Sequence, residues 1–166
     1  MEGIESHHVF GASMSNADNK VSVSRDSTCT AETMWRLVTD LPRMGEWSPE
    51  NRGGEWINAT KPAVGVRFKG RNKNGKRSWS TTVEVIRCEE PRVFAFSLLV
   101  GKSKWCDWVY EIEPTSTGVR VTHSWVDHRG RFTSWLGGVV SGVKDRASHN
   151  AANMEKTLDA LVRAAN

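Results

Sequence analysis

Tyrosine occurs once in these 166 residues, cysteine three times and proline five times. No apolar run approaches the roughly 18 residues that a membrane-spanning helix needs, and 25% of the residues are charged, so a helical membrane protein is excluded. Cys29, Cys88 and Cys106 are odd in number and show neither CxxC nor zinc-type spacing. Neither a disulfide framework nor a metal site is read from them. With no secretory apolar core near Met1, the reducing cytoplasm is the expected compartment. A formal net charge of +4 is mild; it favours acidic partners weakly and does not argue for nucleic acid. No nucleophile elbow, phosphate loop or paired-carboxylate site is present, and no cofactor is expected.

What the chain has in plenty is tryptophan, with eight. Large planar side chains used that often suit either a wide interior that must be lined or a core short of Phe and Leu. The last third supplies a cover for such an interior. Leu136, Val140, Val143, Ala147, Ala151, Met154, Leu158, Leu161 and Ala165 recur at helical spacing, with Lys144, Asp145, Lys156, Asp159 and Arg163 turned away. Gly137, Gly138 and Gly142 weaken the first turns of that run by roughly 1 kcal/mol each relative to Ala. Either the helix proper starts near Ser141, or small residues leave room over a cavity mouth.

Residues 1–18 are polar and aperiodic and read as a flexible leader, in part a cloning remnant or an upstream start; residues 19–166 read as a single domain. Within it, Lys20 to Asp26 alternates as a strand, Ala31 to Thr39 is a short helix, and a second helical piece runs from Pro42 through Glu46. From Gly54 the apolar period changes to two. Asn74-Gly75 marks a hairpin, and further turns fall at Glu90-Pro91, Gly101-Lys102 and Thr115 to Gly118. The result is an α+β order: strand, two short helices, a long antiparallel meander and a terminal helix. A curved sheet wrapped around the terminal helix is the architecture this order permits most directly.

Particular residues also resemble those of a known group. They are Val64 to Asn72 (VGVRFKGRN) with Gly75 and Trp79, Glu90-Pro91 with Phe94 and Phe96, Trp108 to Pro114 (WVYEIEP), Gly118 to Thr122 (GVRVT), and Met154 to Leu158 (MEKTL). This pattern is similar to that of the helix-grip (SRPBCC) superfamily, which includes START domains and birch-pollen-allergen-like proteins. Within it, the closest likeness is to the polyketide cyclase/dehydrase and lipid-transport group. The resemblance covers roughly residues 20–165. It implies a hydrophobic pocket between sheet and long helix, and it carries over no shared catalytic motif.

By strand parity the interior is lined by Val66, Phe68, Trp79, Val83, Phe94, Phe96, Trp108, Tyr110, Val121, His123 and Trp125. Leu136, Val140, Val143 and Met154 close it, and Asn72 is a polar group at the inner rim. A solid core fits this list. So does an open pocket with a few polar anchors among aromatic walls, the usual form of a small-ligand site, and the resemblance favours the pocket. The candidate ligand-binding set is Phe68, Asn72, Trp79, Phe94, Phe96, Trp108, Tyr110, His123, Trp125, Leu136, Val140 and Val143.

His123 falls between Val121 and Trp125 on the apolar face, across from Trp108 or Tyr110. It is read as a core histidine, as an anchor for a ligand oxygen, or with Tyr110 as the acid/base pair of a cyclisation or dehydration. Asp127 shares its parity and orients it if the strand continues that far. On the terminal helix His149 points away from the stripe and is expected in solvent, while Asn150 lies at the stripe's edge. Arg67, Lys69, Arg71, Lys73, Lys76 and Arg77 form a basic band on one hairpin. A solvated face is the plainer reading, with Arg67, Lys69 and Arg71 as candidates for weak contact with anionic lipid or an acidic protein. Three functions follow: a holder of a hydrophobic lipid or polyketide-like molecule, an enzyme acting on one, or a partner-binding module with a filled cavity. The oligomeric state is not legible.

Overall fold

The computed structural model describes residues 19–130, 139–143 and 145–166. The leader, Leu136 and Lys144 therefore lie outside the described residues. The chain forms β1 (Lys20–Ser27), α1 (Ala31–Thr39), a 3₁₀ turn (Leu41–Glu46), β2 (Asn51–Ile57), β3 (Arg67–Asn74), β4 (Arg77–Glu89), β5 (Val93–Val100), β6 (Ser103–Thr115), β7 (Gly118–Asp127) and α2 (Arg146–Ala165). The seven strands make one antiparallel sheet in the order β1-β7-β6-β5-β4-β3-β2. This is the α+β helix-grip architecture: a meander from β2 to β7, with β1 returning beside the last strand and α2 laid over the concave face.

The sheet bends because its registers slip. Pairing shifts between Val85 and Arg87 on β4 and between Leu98 and Leu99 on β5, and again between Asn51 and Gly54 on β2. An extra residue on one strand bends it and increases its twist. At the β2 irregularity Gly53 has φ +73°, and a Cβ there would stand 2.2 Å from the Pro42 carbonyl oxygen. Only glycine lets the edge strand run so close under the 3₁₀ turn. That approach sets Glu50 and Asn51 at the sheet's open end.

The inner face divides into two halves. Under one half sits α1, whose start is capped by Thr30 accepting from the Thr33 amide and whose Met34, Trp35 and Val38 are buried. Trp35 meets Phe94 edge-on with centroids 6.0 Å apart. Val85, Ile112, Val119 and Val121 join the same core, and Leu158 and Leu161 of α2 close it with no exposure at all. An Arg25–Asp159 ion pair at 2.7 Å ties α2 to β1 outside this core. Among the described residues, the other half of the concave face, beneath the first turns of α2, has no such filling.

The terminal helix is shorter than its apolar period suggests. Residues 139–141 are helical, Gly142 has φ +74° in the left-handed region, and α2 begins after Asp145. Asp145 is extended and caps α2, its carboxylate accepting from the Ser148 amide at 3.1 Å. Met154, Leu158 and Leu161 face inward as the apolar period requires, joined by Asn150 and Thr157, while Ala147 is exposed. The continuous stripe is therefore corrected at its beginning, to a 20-residue helix that starts at Arg146. Among the described residues, no helix is long and apolar enough to cross a membrane.

Candidate functional site

Between the unfilled half of the sheet and the start of α2 lies a cavity of about 510 Å³. Its apolar walls come from Trp79 and Val83 on β4, Phe96 and Leu98 on β5, Trp105, Cys106, Trp108 and Tyr110 on β6, Trp125 on β7, and Met154 on α2. Polar groups enter from the ends and from α2: Ser48, Glu50, Asn51, Asn72, Thr81, His123, Arg129, Arg146, Asn150 and Asn153.

Eight of the twelve sequence candidates border this space: Asn72, Trp79, Phe96, Trp108, Tyr110, His123, Trp125 and Val140. Leu136 lies outside the described residues. Phe68, Phe94 and Val143 do not reach the cavity. Phe94 is wholly buried between Trp35 and Phe96, and Phe68 packs edge-on against Trp56 at 5.2 Å. Both face inward as parity requires, but protein covers them. Parity assigns a face and says nothing of what stands opposite. Val140 borders the mouth and is 57% exposed.

Leu98 and Cys106 border the cavity with the same parity as Phe96 and Trp108, whereas Leu99 and Trp105 border it out of turn. The pairing passes from Leu98–Cys106 to Leu99–Lys104, so Trp105 is an extra residue on β6 and strict alternation fails there. Glu50, Arg129 and Arg146 carried no periodic signal because they come from loops and a helix start.

Two ion-pair clusters flank the space. Glu50 receives Arg146 through both oxygens, at 2.7 and 3.2 Å, and its Oε2 also lies 2.8 Å from His149 Nε2. Asn153 Nδ2 stands 2.9 Å from the same imidazole nitrogen. His149 is thus half-buried in a network, and the solvent-facing expectation is corrected: Glu50 reaches across the mouth to meet it. At the other side Arg129 forks onto Asp127 at 2.8 Å through two nitrogens and lies over the Trp125 ring. The Asp127 carboxylate is consequently engaged by Arg129. Its hydrogen bond holds the guanidinium pKa above the usual value, against the opposing pull of burial.

His123 is buried in the cavity wall. Its β7 position is paired with Tyr110 on β6, as the hairpin spacing allowed. The two rings stack face to face, centroids 4.0 Å apart and 15° from parallel, with Trp108 tilted against the imidazole at 5.4 Å. Neither His123 nitrogen has a hydrogen-bond partner, and neither has the amide nitrogen of Asn150. Burial pushes the His123 pKa down to about 3, and burial likewise raises the Tyr110 phenol above its ordinary range. Burial also lifts Cys106 to about 11, so that thiol stays protonated and unreactive at neutral pH. Among the described residues, no three His, Cys, Asp or Glu side chains converge as a metal site would require.

On the outer face, Arg67, Lys69 and Arg71 are exposed, and Arg67 is paired with Glu84 at 2.9 Å. Arg77 at the hairpin's end donates to the Val139 carbonyl, and Asn74 donates to that of Ser141 at 3.2 Å. Part of the basic band therefore fastens the segment that borders the mouth.

A bent antiparallel sheet closed by a long C-terminal helix, with a hollow between them, defines a helix-grip protein of the hydrophobic-ligand-binding type. The family described as polyketide cyclase / dehydrase and lipid transport matches residues 18–166, and the chain belongs to that family. The solution structure of a polyketide-cyclase-like protein from Corynebacterium glutamicum is 28% identical, with TM-score 0.61 over 87% of this chain and 90% of that one. The di-domain ARO/CYC StfQ from the steffimycin biosynthetic pathway superposes with TM-score 0.69 at 11% identity, over 88% of this chain and half of its own. The Aha1 dimer from Colwellia psychrerythraea gives 0.63 at 11%, over 88% and 95%. At such low identity the last two speak for the fold alone. A search of curated proteins finds no match.

Proposed function

We propose that the protein holds a hydrophobic small molecule, lipid or polyketide-like, in the cavity between the sheet and α2. The observation that carries this reading is a hollow of about 510 Å³ walled by Trp79, Phe96, Trp108, Tyr110 and Trp125. Removing apolar ligand surface from water there is worth roughly 25 cal/mol per Å² before the costs of association. A native core of comparable composition is filled; this one is filled, among the described residues, only under α1.

Simple holding fits better than acid/base chemistry through His123 and Tyr110. Proton transfer near neutrality is most effective when the groups have pKa values near the working pH. Burial moves these two in opposite directions, with His123 as low as about 3, and their rings meet by their faces. Contact with anionic lipid or an acidic protein through Arg67, Lys69 and Arg71 receives less support, since Glu84 already occupies Arg67.

Native mass spectrometry of the purified chain, paired with a titration by the neutral dye Nile red, tests the reading. Leu98→Trp places an indole in the hollow and is expected to weaken dye binding at least ~10-fold, about 1.4 kcal/mol, with an unchanged circular dichroism spectrum. Equal dye affinity in the variant, with no apolar compound retained by the wild type, would refute it.

A further inference from the structure

The polar side of the cavity holds more information than its apolar walls. Resting on the reading of a ligand-holding cavity, we propose that the ligand is uncharged and carries a hydroxyl, alone or beside a carbonyl, that lies against His123 and Asn150.

The first support is an unmatched set of hydrogen-bonding groups. His123 is 5% exposed and Asn150 2%. Both border the hollow, and three of their nitrogens have no partner. Buried polar groups are nearly always paired, and leaving one unmade costs about 1–3 kcal/mol. The two side chains come from different elements, β7 and α2, on opposite sides of the space. A neutral imidazole presents one N–H and one lone pair, and an amide nitrogen presents N–H donors. The complement of that set is a group that both donates and accepts. A hydroxyl does so: it gives its hydrogen to the bare imidazole nitrogen and takes an N–H on its oxygen. A neighbouring carbonyl would accept from the remaining donor.

The second support is the charge inventory. The charged residues bordering the cavity, among those described, are Glu50, Arg129 and Arg146. Arg146 is occupied by Glu50, and Arg129 by Asp127 through a fork. His149 adds a further contact to Glu50. Among the described residues, no cation bordering the space is left to receive a carboxylate, and no carboxylate is left to receive an ammonium. His123 is no substitute, because its surroundings hold it neutral. An ion entering this space would lose its hydration without a counter-charge, a penalty of several kcal/mol. Free acids and amines are therefore discriminated against, and alcohols, phenols and hydroxy-ketones are favoured.

Three probes with one carbon skeleton separate the terms: phenanthrene, 9-phenanthrol and phenanthrene-9-carboxylate, each titrated by displacement of Nile red at pH 7.5. Phenanthrol is expected to bind about 10-fold tighter than phenanthrene, the value of one well-made hydrogen bond to a buried group, and the carboxylate weakest of the three. In His123→Phe and in Asn150→Leu the advantage of phenanthrol over phenanthrene should shrink to about threefold or less, each ratio taken within one variant. The wild-type series decides the matter even if one variant fails to fold. Carboxylate binding as tight as phenanthrol, or a phenanthrol advantage undiminished in every folded variant, would overturn the proposal. Binding of phenanthrene with no preference for phenanthrol overturns it while sparing the ligand-holding reading. Failure of all three probes to displace the dye brings down both.

Discussion

Between pH 7 and pH 4 the protein is expected to lose on the order of 3 kcal/mol of unfolding free energy, at about 1.4 kcal/mol per unit of pH below the ordinary histidine pKa. The residue responsible is His123. Its folded-state pKa is pushed from 6.5 to about 3 by burial alone. Above pH 6.5 the imidazole is neutral in both states and contributes no pH dependence. As the pH falls below that value, the unfolded chain takes up a proton that the folded chain refuses, so stability drops. The decline ends only near the folded pKa, where the buried ring finally titrates. Stacking between Tyr110 and Trp108 leaves the imidazolium no carboxylate to meet. Urea unfolding followed by tryptophan fluorescence at pH 7 and pH 4 measures the effect, with His123→Phe as the reference. That variant should keep most of the lost stability. Equal acid sensitivity in the two proteins would mean that His123 is solvated or paired in solution.

Leu158→Ala is expected to cost about 3–4 kcal/mol, within the range for fully buried leucines, and to lower the melting temperature by roughly 10 °C. Leu158 is wholly buried where α2 meets the core of α1 and the sheet, on the side of the molecule that has no hollow. The deleted atoms would leave a new void that rigid strands on one side and α1 on the other cannot close. Ala147→Gln, at the second residue of α2 and exposed, should change stability by less than about 0.5 kcal/mol. Calorimetry on the two variants checks the start of the helix as well as the core. A comparable loss at Ala147 would restore the uninterrupted stripe read from the sequence.

The architecture was legible because its signals are local and repeated. Alternation over Trp79 to Val85 and Trp108 to Ile112, together with turn residues such as Asn74-Gly75, marks strands and their order without reference to anything distant. Counting outward from the hairpin near Ser116 left His123 across from Trp108 or Tyr110, and the register of the two strands chooses Tyr110. What stayed hidden depends on residues far apart in the chain. Phe68 and Phe94 have the parity of Trp108, yet Trp56 and Trp35 cover them, and no periodicity reveals the cover. The start of α2 turned on one glycine and one aspartate, Gly142 and Asp145, which end one helical segment and begin another. The mouth's polar network needs Glu50 to meet Arg146 and His149 nearly a hundred positions later. Its only trace in the sequence was a carboxylate just before an irregular strand.

The terminal helix is held by different forces at its two ends. Its far end is bedded in hydrocarbon through Leu158 and Leu161, whereas its beginning is moored by Glu50 to Arg146 and His149. Dissolved electrolyte weakens the mooring by screening, and a strongly excluded salt such as sulfate tightens the bedding. The start of α2 and the fold as a whole should thus respond in opposite senses to one added solute. In hydrogen exchange read by mass spectrometry, sulfate is expected to quicken exchange at the start of α2 while raising the melting point. If exchange there slowed as the melting point rose, the ion pairs would not be what holds the beginning of the helix.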